Sequence, residues 1–136
     1  MSKAIHQTVN FPVPPHEVYE ALMDSKKHAA FTHASARISR KVGGSFTAYD
    51  GYISGINLEL VPDQLIRQSW RAVDWQDGIF STITYKLTAI PTGTRLDFIH
   101  AELPAGTEAE FTRGWIDNYW EPMKIFFEKS RQQDGK

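Results

Sequence analysis

The chain has 136 residues, of which 41% are hydrophobic and 12% aromatic, with no cysteine and a formal net charge of −1. That length suits one domain with a sizeable core, and the composition is too apolar for a disordered chain. Fifteen Lys and Arg against sixteen Asp and Glu, mixed without a like-charged block, argue against nucleic-acid binding driven by charge, and the missing cysteines exclude disulfides, thiolate metal sites and cysteine nucleophiles.

No apolar run approaches the about 18 residues that a membrane span requires, and the opening MSKAIHQTVNF lacks the apolar segment of a signal peptide. The expectation is a cytoplasmic protein whose residues 1–136 form a single domain. Ala4 to Phe11 alternates Ile5, Val9 and Phe11 with polar His6, Thr8 and Asn10, the period of a half-buried strand. Pro12, Pro14 and Pro15 end it. HEVYEALMD then places Val18 and Leu22 at helical spacing behind a proline tolerated in a first turn. A second short helix over about residues 26–32, capped by Ser25, would present Ala29, Ala30 and Phe31.

From Ala36 to Leu103 the punctuation changes to Gly43-Gly44, Asp50-Gly51, Pro62-Asp63, Asp77-Gly78 and Pro91 to Gly93, which predicts antiparallel strands joined by turns. Ile79, Ser81, Ile83, Tyr85 and Leu87 share one face, and Leu96, Phe98 and His100 share another strand's inner face. Ile66, Gln68 and Trp70 alternate in the same way. Glu108 to Lys129 returns to helical spacing, with apolar residues at 111, 115, 116, 119, 120, 123, 126 and 127 forming a wide stripe suited to covering a sheet. Pro122 cannot donate to the carbonyl of Asn118, so a kink is expected there. One strand, two short helices, a run of strands and one long helix make an α+β domain.

Little in the chain points to catalysis. Gly43-Gly44 lies between two strand-like runs, with neither a following helix nor a GxxxxGK pattern, so it reads as a turn and not a phosphate cradle. The histidines are His6, His16, His28, His33 and His100; none pairs at i, i+4 beside a glutamate as a zinc hydrolase requires. His28 and His33 read as surface or helix-capping residues. His100 faces inward and, without a visible partner, reads as a hydrogen-bonded core residue that could orient a ligand. Asp63, Asp97 and Glu102 do not converge as a carboxylate pair, and no serine sits in a GxSxG context. Catalytic residues, metal and cofactor are all absent from this reading.

Five stretches together resemble one family: AFTHA at 30–34, VGGSF at 42–46, GYISGINLELVPDQLIRQSWR at 51–71, FSTITYKL at 80–87 and GWIDNYWEPMKIFF at 114–127. In order and spacing they are similar to the C-terminal domain of the activator of heat-shock protein 90 ATPase, within the START-like (SRPBCC) superfamily. The resemblance implies a helix-grip fold, in which a curved antiparallel sheet of about six to seven strands wraps a long C-terminal helix, with two short helices after the first strand and an apolar cavity in some members. Two-domain members carry an additional N-terminal domain implicated in contacting and stimulating the chaperone. Here about three residues precede the first strand, so the expectation is a fold and a docking surface without that half.

The cavity candidates are Gln68, Trp70, Tyr85, Phe98, His100, Trp115 and Tyr119, a mostly apolar interior with few polar anchors. The first functional reading is a non-enzymatic binding or accessory domain, with a chaperone of the heat-shock protein 90 class as candidate partner. The second is a carrier of a small hydrophobic ligand or lipid. The third is an enzyme that uses the same cavity.

Overall fold

The structure, a computed structural model, describes residues 3–134 and the side chains of residues 4–129. Strand β1 (Lys3–Phe11) leads through Pro12 to Pro14 into helix α1 (Pro15–Met23), which has Pro15 in its first turn, where a missing N–H costs nothing. Helix α2 (Ser25–Thr32) follows directly. Its cap is Asp24, whose carboxylate accepts from the Lys27 N–H, and not Ser25. The Ser25 hydroxyl instead accepts from the Ile38 N–H and ties the next loop down. Ala30 is exposed, and α2 buries His28, Phe31 and Thr32.

Six strands then meander: β2 (Arg37–Ile38), β3 (Ser45–Ala48), β4 (Ile53–Val61), β5 (Leu65–Ala72), β6 (Ser81–Ile90) and β7 (Gly93–Leu103). The sheet order is β1-β7-β6-β5-β4-β3-β2, antiparallel throughout, so the first strand closes against the last. The inner face carries the residues that alternation selects: Ile66, Gln68 and Trp70 on β5, Ser81, Ile83, Tyr85 and Leu87 on β6, and Leu96, Phe98 and His100 on β7. Ile79 lies before β6 and is exposed. Between β2 and β3, Gly43 has φ +85° and Gly44 packs so tightly that a Cβ would lie 2.0 Å from Ser39 Oγ. One glycine supplies the turn and the other the close approach.

The C-terminal helix lies across this face in three segments. Helix α3 (Glu108–Trp115) passes into a π-helical turn (Ile116–Trp120), and helix α4 (Glu121–Asp134) continues from it. Its buried stripe is Trp115, Tyr119, Trp120, Met123 and Phe127, with Phe111, Ile116 and Phe126 half-buried beside it. The irregularity expected at Pro122 falls one turn earlier, where the Glu121 N–H reaches back five residues to the Ile116 carbonyl. The wider turn answers the N–H that proline lacks. The Asn118 carbonyl, which residue 122 would serve in a regular α-helix, accepts from the Tyr49 hydroxyl instead. Among the described residues no helix is long and apolar enough to cross a membrane.

Candidate functional site

A partly open groove of about 470 Å³ runs between α3, the π turn and the sheet edge formed by the β3–β4 turn and the end of β5. Six of its ten lining residues are aromatic: Tyr49, Tyr52, Trp70, Phe111, Trp115 and Tyr119. Ile53, Gly114 and Asn118 complete the walls, and Glu110 is the one charged residue among the ten. The volume lies within the ordinary range of small-ligand sites, roughly 300–1,000 Å³. Helical spacing explains the helix side, since residues 111, 115 and 119 recur on one face. The sheet side depends on a tight turn in which Tyr49 and Asp50 take left-handed backbone, φ 50° and 58°. That turn is fixed to the loop after α2 by the Asp50 carboxylate, which accepts from the Ser35 N–H (2.8 Å), and by the Asp50 N–H, which donates to the Ser35 carbonyl (3.1 Å). The hydrogen bond from the Ser35 N–H holds the Asp50 carboxyl below its ordinary pKa.

Behind the groove floor two of the helix aromatics, Trp115 and Tyr119, are each anchored to a buried histidine. The Trp115 indole N–H donates to His100 Nδ1 (3.0 Å). An indole can only donate, so Nδ1 is unprotonated, and neutral His100 carries its proton on Nε2. That N–H donates to Ser81 Oγ (2.7 Å), and the serine proton goes to the Trp70 carbonyl (2.8 Å). The chain of bonds is complete, and burial pushes the His100 pKa down to about 3. Its direction is opposite to that of a serine nucleophile and its base, in which the imidazole accepts from the hydroxyl.

Tyr119 is held similarly. Its hydroxyl donates to His28 Nε2 (2.9 Å), while His28 Nδ1 lies 3.2 Å from the Leu22 carbonyl, which can only accept. His28 is therefore the Nδ1–H tautomer, and burial pushes its pKa down to about 4. This overturns the surface or capping role expected for His28, which is 5% exposed. His33 does cap α2, with φ 57° and its N–H donating to the Ala29 carbonyl. Sequence spacing could not reveal the partnership of His28, because Tyr119 lies 91 residues away.

Of the seven expected cavity residues, Trp70, Trp115 and Tyr119 line the groove. His100 stands directly behind it, 4.8 Å from the Trp70 ring. Tyr85 and Phe98 are deeper core, with the Phe98 ring 4.4 Å from that of Trp115. Gln68 serves a different place. Its amide donates to Asn57 Oδ1 (2.8 Å), and the Asn57 amide donates to the carbonyls of Ser39 and Lys41, propping the glycine turn. The other seven lining residues, Tyr49, Tyr52, Ile53, Glu110, Phe111, Gly114 and Asn118, are not among the cavity residues expected from the sequence. Tyr49 and Tyr52 flank a turn without periodicity, where the one available signal is aromatic side chains on either side of Asp50-Gly51.

The polar atoms of the helix aromatics do not face the groove as donors for a ligand. The Tyr119 hydroxyl and Trp115 indole are committed to histidines, the Tyr49 hydroxyl to Asn118 and the Tyr52 hydroxyl to the Asp74 carboxylate. Among the described residues no cluster of three or more His, Asp or Glu could hold a metal ion.

Residues 12–128 match the family described as Activator of Hsp90 ATPase homolog 1-like protein. The human Activator of 90 kDa heat shock protein ATPase homolog 1 is 34% identical over 86% of this chain, which spans 35% of that protein. The Dictyostelium discoideum homolog is 28% identical over 95% of the chain and 34% of its own length. The crystal structure of an HSP90 activator from Plasmodium falciparum superposes with a TM-score of 0.82 at 25% identity, covering 92% of this chain and 94% of that one. The seven-stranded sheet, the gripped helix and these matches agree: the chain belongs to the Activator of Hsp90 ATPase homolog 1-like family and has its helix-grip, START-like fold.

Proposed function

We propose that this chain is a START-like accessory module whose partner is a chaperone of the heat-shock protein 90 class. The observation that carries the proposal is the family match over residues 12–128, supported by relatives that are themselves named activators of the chaperone's ATPase. The chain corresponds to about a third of those relatives, so binding and ATPase stimulation are separate expectations for it. Pull-down with the chaperone of the source organism, followed by an ATPase assay, tests both. Retention of the chaperone supports docking, and a rate change in addition supports stimulation. The absence of both retention and a rate change would end the proposal.

A second reading, compatible with the first, rests on the groove: about 470 Å³ with six aromatic walls suits a small apolar ligand. Native mass spectrometry of protein purified from its own host should reveal bound mass. A protein that is strictly free of ligand and unmoved in a thermal-shift screen of lipids and aromatic compounds would count against a carrier. The enzyme reading gains no support from His100, whose two nitrogens are both engaged and which does not line the groove.

A further inference from the structure

We infer that the groove selects an organic cation with an aromatic or apolar body over neutral or anionic ligands of the same shape. This rests on the groove being a binding site at all. Three features of the walls point the same way. First, Glu110 lines the groove and makes no ion pair among the described residues, while no Lys, Arg or His lines it. A ligand carboxylate or phosphate would lose its water for no compensating charge, whereas a cation finds one.

Second, the hydroxyls of Tyr49, Tyr52 and Tyr119 and the indole N–H of Trp115 already donate to protein acceptors. What the more exposed rings, Tyr49 and Tyr52, turn to the groove is therefore aromatic carbon, and the negative face of an aromatic ring attracts cations. Their mutual geometry is tilted or edge-to-face: Trp70 and Phe111 cross at 89°, Tyr49 and Tyr119 at 65°, Trp115 and Tyr119 at 46°. Edge-to-face packing and the stacking of Trp115 on Trp120 occupy faces of the inner rings, so the free aromatic surface lies mainly on the less buried Tyr49, Tyr52 and Phe111.

Third, a second carboxylate stands beside a wall residue. The Asp74 carboxylate accepts from the Tyr52 hydroxyl at 3.3 Å, and the Tyr52 phenol is pushed up by burial and then by the charges of Asp74 and Glu110. The cations on neighbouring segments are engaged elsewhere. Arg71 donates to the Trp75 and Gln76 carbonyls, and Arg113 pairs with Asp117.

The test is titration of the full chain, followed by NMR at the tryptophan indoles, with the isosteric pair phenyltrimethylammonium and neutral tert-butylbenzene and with anionic 4-tert-butylbenzoate, the same neutral body carrying a carboxylate. The cation should bind about tenfold tighter than the neutral probe, as one desolvated cation–π contact and a nearby carboxylate would give. Glu110→Gln, at an exposed and unpaired position, should weaken the cation about threefold and leave tert-butylbenzene unchanged. If the neutral or anionic probe binds as tightly as the cation, charge selection is wrong while the groove remains a ligand site. If none of the three perturbs the indoles, the groove reading falls along with it.

Discussion

His28 and His100 solve the same problem with opposite tautomers. Each is buried, neutral and anchors one aromatic of the C-terminal helix, but His100 receives at Nδ1 and gives from Nε2, whereas His28 receives at Nε2 and gives from Nδ1. The difference lies in what surrounds them. His100 stands in mid-strand among side chains, and its proton goes to Ser81, which relays to a backbone carbonyl. His28 lies in the second turn of α2, where the C-terminal end of α1 offers the Leu22 carbonyl, left free because α1 stops at Met23. A helix end thus supplies the acceptor that a sheet must provide from a side chain.

Acid should break both anchors at once and is the largest effect expected. In the unfolded chain each imidazole titrates near 6.5, while in the folded chain the values are about 4 and about 3. Between pH 6.5 and 4 unfolding therefore takes up protons, and stability falls as pH falls. The loss should reach about 3 kcal/mol for each histidine by pH 4, with no contribution from either above pH 6.5. Urea unfolding at a series of pH values measures the slope, and His28→Gln should roughly halve it. A stability flat from pH 7 to 4.5 would mean that neither histidine is held neutral.

Trp115→Ala comes next. The side chain is 3% exposed, so its loss should cost about 3 to 5 kcal/mol, at the upper end because His100 Nδ1 is left without a donor. Denaturant unfolding at pH 7.5, where both histidines are neutral in either state, isolates this term from titration. A near-neutral result would mean that the groove side of the ring matters more than its core side. Tyr119→Phe tests the other anchor more gently: only the hydroxyl goes, leaving His28 Nε2 unpaired, for about 1 to 3 kcal/mol. Because the lost bond stabilised neutral His28 by donating to its bare nitrogen, the folded-state pKa should rise in the variant, so its loss of stability in acid should still begin near pH 6.5 but level off at a higher pH and be smaller than the parent's.

The two anchors were unequally legible in the sequence. Strand alternation put His100, Phe98, Trp70 and Gln68 on the inner face without any knowledge of partners, because period two leaves a residue only two faces to choose between. The same rule could not distinguish the groove wall from the core behind it, or foresee that Gln68 supports the glycine turn. For His28 the pattern itself was weak. An eight-residue helix carries about two turns, and its apolar residues at 29, 30 and 31 suggest no single face. Its burial is decided by Tyr119 on a distant element. Tyr49 was the least legible of all, since its position comes from a turn with left-handed backbone at two non-glycine residues.

Tyr49 also carries the smallest and most discriminating prediction. Its hydroxyl serves the Asn118 carbonyl that Pro122 cannot reach, so hydroxyl and proline are two halves of one arrangement. Tyr49→Phe alone should cost about 1 kcal/mol, the usual net worth of a hydrogen bond. Pro122→Ala returns an N–H to the helix and removes the reason for the π turn. In that background the hydroxyl becomes redundant, and Tyr49→Phe should cost only a few tenths of a kcal/mol. The double-mutant cycle therefore has a definite sign: the penalty shrinks when the proline is gone. An equal penalty in both backgrounds would show that the helix keeps its π turn for another reason, such as the stacking of Trp115 on Trp120 at 5.6 Å, and that Tyr49 is held in the groove by packing and not by the carbonyl that the proline exposes.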